Sequence, residues 1–255
     1  MHSPMNTTTK TSPKTSEDKI FSHAQQNIAP FSFNQEVADV FDDMIGRSIP
    51  FYKEIHSLIV DLVARYYPDS GRVFDFGCST GTTILLLEHH MKQLGRPISF
   101  TGVDTSAAMI EKAQAKCAHV RDVVFLGEDM TQVDLCDASV VILNYTLQFL
   151  KVEKRKALLE KIYAHLPSGG ILILSEKIRS PQAIVESCIT DLYYDFKRRQ
   201  GYSELEISQK REALENVLIP LSPEDQLSML RGAGFKQSEM LFRWYNFASY
   251  LGIKE

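Results

Sequence analysis

Asp75, Gly77, Ser79, Gly81 and Asp104 are the residues whose types and spacing can do chemistry. The first four lie in Val73-Phe74-Asp75-Phe76-Gly77-Cys78-Ser79-Thr80-Gly81, an apolar run that enters a glycine turn. Asp104 ends the next apolar run, residues 98–103. A tight glycine turn lets backbone N–H groups come close to a ligand. An acidic side chain at a following strand end accepts hydrogen bonds from ribose hydroxyls. Together they predict an adenosine-containing cofactor at the carboxyl ends of parallel strands.

A nicotinamide cofactor fits this pattern poorly. Its fingerprint needs glycine at the middle position of G-x-G-x-x-G, where pyrophosphate meets a helix N-terminus, and Ser79 stands there instead. Asp75, two residues before the turn, would repel a pyrophosphate but suits the ammonium group of an amino acid. The signature hhDhGxxxG with a later strand-end aspartate resembles the class I S-adenosylmethionine (SAM) methyltransferases. The bland alternative is an empty turn kept for packing. Asp75, Asp104 and Asp129, each closing a separate apolar strand, weigh against it.

These residues need strands and helices to hold them. Short apolar runs recur at residues 72–76, 98–103, 123–126, 140–143 and 170–174, with helical stretches at 82–91, 107–118 and 153–165. Runs apolar on both faces belong in a buried parallel sheet, and the βα alternation predicts a doubly wound α/β fold. Two late strands, near 236–242 and 246–251, have a short connection and predict an antiparallel end to a mostly parallel, seven-stranded sheet. Before the sheet, residues 35–45 read as a helix. Ser48 is expected to cap the next helix, with Pro50 in its first turn. That helix should end near Tyr67-Pro68. Between about 177 and 232 the chain is too long for one crossover and reads as a helical insertion: 181–199, 204–216 and 223–231. The cluster Tyr193-Tyr194-Asp195-Phe196-Lys197-Arg198, taken alone, reads as a solvated helix end. Residues 1–28 are polar and nearly free of large apolar side chains, and are expected to be a disordered tail. Residues 29–255 then form a single domain.

Bulk properties narrow the function. The formal charge of −4 argues against a broad nucleic-acid surface, so no direct RNA contact is expected. Cys78, Cys117, Cys136 and Cys188 are widely spaced without a C-x-x-C, which predicts neither a metal site nor disulfides. A reduced, cytoplasmic protein is expected. No apolar run approaches the ~20 residues of a membrane span, and the N-terminus shows no signal-peptide core.

Longer strings carry a closer likeness. Gly201-Tyr202-Ser203-Glu204-Leu205-Glu206-Ile207-Ser208-Gln209-Lys210-Arg211 and Asn144-Tyr145-Thr146-Leu147-Gln148-Phe149-Leu150 resemble the carboxy-S-adenosyl-L-methionine synthase family. So do Arg47-Ser48-Ile49-Pro50-x-Tyr52 and Ser175-Glu176-Lys177. The resemblance runs from about Phe31 to Leu251. It implies a homodimeric enzyme that converts SAM and prephenate to carboxy-SAM and phenylpyruvate, for modification of a tRNA wobble uridine. In the implied chemistry the sulfonium acidifies its methyl group, and the departing hydroxyl of prephenate takes the proton. The resulting ylide attacks the released carbon dioxide. No histidine lies in the matching strings, and His89 and His90 read as surface residues. Proximity and exclusion of water carry the catalysis.

The resemblance also implies ligand contacts. Tyr52 is expected near the sulfonium and the new carboxylate. Gly77, Cys78 and Ser79 should line the amino-acid part, Asp104 and Thr105 the ribose, and Asp129 and Met130 the adenine. Asn144 should lie under the reacting centre. Arg211 should reach the neighbouring subunit's pocket and hold the carboxylate of carboxy-SAM; an arginine fork suits that group. Each has a plainer alternative: Tyr52 a core aromatic, Asn144 a strand cap, Arg211 an ion pair with Glu215. The chain departs from the family in its longer tail, in Tyr145 where phenylalanine is common, and across residues 178–187. Two other functions remain open on the residues alone. One is a SAM methyltransferase acting on a small acid or on tRNA, although the D/N-P-P-Y of amine methyltransferases is missing at Asn144-Tyr145-Thr146-Leu147. The other is a non-catalytic SAM-binding protein.

Overall fold

The structure, a computed structural model, describes residues 16–255. The chain enters through helix α1 (Gln35–Ser48), which Asn34 starts by accepting a hydrogen bond from the Val37 N–H. Val37, Val40, Phe41 and Met44 form its buried stripe. Helix α2 (Tyr52–Tyr66) buries Ile55, Ile59 and Val63. Ser48 does not cap α2. It is the last residue of α1, and Phe51 occupies the cap position in the left-handed region, φ 57°. Pro50 separates the two helices, and the Ser48 hydroxyl instead accepts a hydrogen bond from Lys210 at 3.1 Å.

The alternating core follows: β1 (Arg72–Phe76), α3 (Thr82–Gln93), β2 (Phe100–Val103), α4 (Ala107–Lys116), β3 (Val123–Leu126), β4 (Ala138–Asn144), α5 (Val152–His165) and β5 (Ile171–Lys177). The predicted insertion is three helices, α6 (Ala183–Arg199), α7 (Glu204–Leu214) and α8 (Pro223–Gly232), and strands β6 (Gln237–Trp244) and β7 (Phe247–Ile253) finish the chain. The sheet order is β3-β2-β1-β4-β5-β7-β6. The first five strands in that order are parallel, and β7 runs antiparallel to both β5 and β6. This is the expected fold, with strand ends shifted by a few residues.

The central strands β4 and β5 are buried along nearly their whole length, as a sheet covered on both faces requires. One apolar cluster joins α2 and α3 to one face through Ile59, Val63, Ile84 and Leu87. The other packs α5 and α8 on the opposite face through Leu158, Leu159, Ile162 and Leu230. Strand order reverses between β1 and β4, and a site is expected at that switch point, beyond the carboxyl ends of the strands.

The tail expectation needs correction from Ser16 onward; its first fifteen residues lie outside the described part. Asp18 and Phe21 are buried. The Tyr202 hydroxyl donates to Asp18 Oδ2 at 2.7 Å, and the Gln209 amide donates to the carbonyls of Phe21 and His23 at 2.9 Å each. The Phe31 N–H donates to Ala213 O at 2.8 Å. The segment has few apolar side chains because hydrogen bonds to α7 and its approach hold much of it.

Candidate active site

At the end of β1 the chain turns through Gly77 (φ 73°), Ser79 (φ 49°) and Gly81 (φ 79°) before α3 begins. A Cβ on Gly77 would fall 2.2 Å from Thr146 Oγ1, so glycine is required by space as well as by φ. Asp104 follows β2 immediately. Its two carboxylate oxygens accept hydrogen bonds from the Ser79 N–H at 3.0 Å and the Ser106 N–H at 2.9 Å. These bonds tie the turn after β1 to the end of β2 and leave lone pairs for a diol. Burial raises the Asp104 carboxyl above its ordinary range, and the two N–H groups oppose that rise.

A cavity of about 340 Å³ opens over these strand ends. Tyr52, Gly77, Cys78, Ser79, Asp104, Thr105, Asp129, Met130 and Asn144 all line it. Nine of the ten expected site residues therefore meet in one chamber. Asp129 is exposed, and its Oδ1 accepts from the Thr131 N–H and hydroxyl at 2.8 Å each. The Thr131 N–H bond holds its carboxyl below the usual value. The tenth residue, Arg211, is exposed on α7 and has no ion-pair partner among the described residues, Glu215 included. It is not part of its own chain's cavity wall.

Asp75 lies inside β1. Its Oδ2 is buried without a hydrogen-bond partner, and burial, with the charge of Asp104, raises its carboxyl to about 7. Asn144 Oδ1, at the end of β4, is likewise buried without a partner. These orphaned acceptors and the fixed Asp104 carboxylate are what an amino-acid ammonium and a ribose diol would satisfy, so the residues fit SAM. When bound, SAM supplies a sulfonium-activated methyl group. Among the described residues, no group of three or more His, Cys, Asp or Glu side chains stands together as a metal site would need.

The remaining walls are aromatic and cationic. Phe31, Phe33 and Phe149 close the outer end, with Phe33 edge-on to Phe149 at 5.1 Å. Tyr52, Tyr145, Tyr193 and Phe247 surround the inner end. Burial pushes the phenols of Tyr52 and Tyr145 well above their ordinary values, so both stay protonated at neutral pH. His56 packs under Tyr52 at 4.4 Å, and burial lowers its imidazole to about 4. His89 is exposed, as expected, and His90 half-buried.

Three lysines on this wall were not singled out from the sequence: Lys177, Lys197 and Lys210. The reading of residues 193–198 as a solvated end fails for Tyr193 and Lys197, which are buried, and holds for Asp195 and Arg198, which are exposed. The available signal was spacing. Tyr193 and Lys197 lie four residues apart on one helix face, and Arg198 turns away to pair with Glu204.

The fold and the strand-end site define a class I SAM-dependent methyltransferase-like enzyme. Residues 73–170 match the family described as a methyltransferase domain. Solved structures share the fold at low identity. An O-methyltransferase family protein from Burkholderia thailandensis has a TM-score of 0.64 and 15% identity, covering 90% of this chain and 65% of that one. Magnesium protoporphyrin IX methyltransferase from Synechocystis, with bound SAH, has a TM-score of 0.56 and 18% identity, covering 83% and 87%. Curated relatives are much nearer. A carboxy-S-adenosyl-L-methionine synthase from Nautilia profundicola is 42% identical over 93% of this chain and 100% of its own length. One from Aliivibrio salmonicida is 46% identical over 93% and 98%. The chain belongs to the carboxy-S-adenosyl-L-methionine synthase family and is an enzyme of the transferase class.

Proposed function

We propose that the protein makes carboxy-SAM from SAM and prephenate, releasing phenylpyruvate and water, and that its product serves modification of a tRNA wobble uridine. The carboxyl group leaves prephenate as carbon dioxide. The ring hydroxyl leaves with the proton of the sulfonium methyl, forming water. The methylene carbon forms the new bond to carbon dioxide, so atoms and charge balance without an external oxidant.

The observation that carries this reading is the chamber itself. The adenosine-binding strand ends open into an inner end walled by Tyr52, Tyr145, Tyr193 and Phe247. No histidine lines it among the described residues. Such a wall suits a reaction that holds two small partners together, keeps water from a carbanion and takes its proton acceptor from the substrate. In this reading Asp104 holds the ribose, Asp129 and Met130 meet the adenine, and Asn144 orients the methyl end.

The working unit is a homodimer in the cytoplasm, with Arg211 entering the partner's chamber to hold the product carboxylate. Two features support this. Arg211 is exposed immediately beside Lys210, which faces its own chamber. Ile184, 87% exposed, and Trp244 and Leu241, both half-exposed, are large apolar side chains of the kind a partner surface covers. The protein itself has no need to bind RNA.

The test is direct. Purified protein mixed with SAM and prephenate should yield phenylpyruvate by absorbance and carboxy-SAM by mass, in equal amounts. If prephenate is left untouched while a methyl acceptor consumes SAM, the protein is a methyltransferase instead.

A further inference from the structure

The cationic wall exceeds what SAM binding requires, since SAM carries one carboxylate and three amines line the chamber. Lys177 ends β5, Lys197 lies in the last turns of α6 and Lys210 in the middle of α7, and all three line the chamber. Lys197 is 5% exposed and Lys210 6%. Lysines are almost never that buried without a partner. Lys210 has partial ones: Ser48 Oγ at 3.1 Å and Asp18 Oδ2 at 3.6 Å. Lys177 and Lys197 have no carboxylate within ion-pair distance among the described residues. Their ammonium groups lie instead near aromatic rings. Lys177 Nζ is 5.3 Å and Lys197 Nζ 5.8 Å from the Tyr193 centroid, and Lys197 Nζ is 5.1 Å from that of Tyr202. Contacts of that length offset little of the cost of burying a charge.

The wall thus gathers three amines with one carboxylate, Asp18, within ion-pair distance of any of them among the described residues, while Glu186 acts on Lys177 and Asp43 on Lys210 from outside that distance. Burial and the neighbouring Lys210 and Lys177 depress Lys197 to about 7, opposed by the more distant charges of Asp18 and Glu206. Lys210 falls to about 8, chiefly through burial. A fold gains nothing in stability from such an arrangement. It makes sense as a receptor for negative charge.

We propose that Lys177 and Lys197 hold the two carboxylates of the carboxyl donor, a small cyclic dicarboxylate, beside the ring of Tyr193, while Lys210, braced by Ser48 and Asp18, positions that wall. This rests on the reaction proposed above and names the residues that choose its second substrate. The chemistry favours a dianion over a monoanion. One carboxylate alone leaves one buried amine unmatched, so a product that has lost a carboxyl group binds more weakly than the donor. The assignment is separate from Arg211, which is given the product's new carboxylate from the partner.

The competing occupant is the amino-acid carboxylate of SAM, and the experiment separates the two. Lys177→Met and Lys197→Met keep most of the side-chain length and leave the wall lined with apolar atoms. SAM affinity is measured by calorimetry, and prephenate KM and kcat from phenylpyruvate release. SAM affinity should stay within about twofold of wild type. Prephenate KM should rise at least about tenfold in each variant, as loss of one charge-assisted contact implies. Lys197→Arg, which keeps the cation, should recover part of that loss. If SAM affinity falls while KM holds, the lysines serve the cofactor and the proposal is wrong. If the wild-type protein does not consume prephenate, the proposed reaction fails, and the wall is judged on its own by binding of phenylsuccinate in the presence of SAM. Tighter phenylsuccinate than phenylacetate binding, lost in Lys197→Met, upholds the dicarboxylate site. Equal binding of both by wild type and variant overturns it.

Discussion

The two ends of the chamber are built by different means. At the adenosine end, Asp104 is pinned by two backbone N–H groups, and Gly77 is fixed by its own φ and by Thr146. Everything needed lies within one turn of a strand end, and both Asp104 oxygens are satisfied, with Asp75 Oδ2 and Asn144 Oδ1 beside them the exceptions. At the inner end, Lys177, Lys197 and Lys210 come from one strand and two insertion helices, and two of the three lack an ion-pair partner among the described residues. The contrast separates binding held by a scaffold from binding held by charge kept in reserve. The first is stable in itself, whereas the second is held at a cost in stability.

The largest expected effect lies with the insertion. Arg211→Ala should leave SAM affinity nearly intact and cut turnover by about 100-fold or more, since two charge-assisted hydrogen bonds at ~1.5–3 kcal/mol each are lost. Mixed with Asp104→Ala subunits and allowed to exchange, it should regain activity in hybrid dimers. Proven exchange without recovery would return Arg211 to its own chain or remove it from the reaction. Next comes the scaffold end. Asp104→Ala should weaken SAM binding by about 10- to 100-fold by the same reckoning, with melting lowered by only a few degrees as the Ser79 and Ser106 N–H groups lose their acceptor. Unchanged affinity in a folded variant would take Asp104 out of the site.

A smaller effect bears on charge held in reserve. The Lys197 amine stands at about 7 in the fold against 10.5 when unfolded. Between those values the unfolded chain binds more protons, so wild-type stability rises with pH across the window. The penalty is complete below pH 7 and gone above about 10.5. Lys197→Met escapes it, so the variant should melt several degrees higher than wild type at pH 6, with the gap closing as pH nears 10. A variant that melts lower at every pH would mean the lysine supports the fold. The smallest effect is at Asp129, an exposed carboxylate with one oxygen already used by Thr131. Asp129→Ala should lower SAM affinity about two- to tenfold, the range of a single modest hydrogen bond, read by the same calorimetry.

The same contrast explains what could be read from the chain beforehand. The doubly wound sheet, the glycine turn and Asp104 were legible because each is a local pattern: apolar runs of strand length, a turn of fixed spacing, an acid one residue past a strand. The strings around Asn144 and Arg211 carried the family. The lysine wall was not legible. Lys197 belongs to a run that also holds Asp195, Arg198 and Arg199, and composition makes that run a solvated helix end. Only the packing of α6 against Phe247 and Tyr202 puts one cation of the cluster inside and leaves the others out. Ser48 misled for a related reason. A serine before a helix normally caps it, but here the preceding helix runs on through Ser48, and its hydroxyl turns to Lys210.

The polar segment before Ala29 bears on where the smallest working protein can begin. Composition would place that start at about residue 29. Cutting there removes the carboxylate that Tyr202 and Lys210 face and both carbonyls that take the Gln209 amide. Tyr202, Gln209 and Lys210 are all buried, and each polar group left without a partner costs about 1–3 kcal/mol. Because all three flank or belong to α7, the damage falls on the helix that presents Lys210 and Arg211, far from the cut in sequence. A trimmed protein would keep its sheet and its grip on SAM while loosening the helix proposed to serve the second substrate. Here a dozen residues with few apolar side chains act as a clasp, and a truncation series should be drawn to begin no later than Ser16.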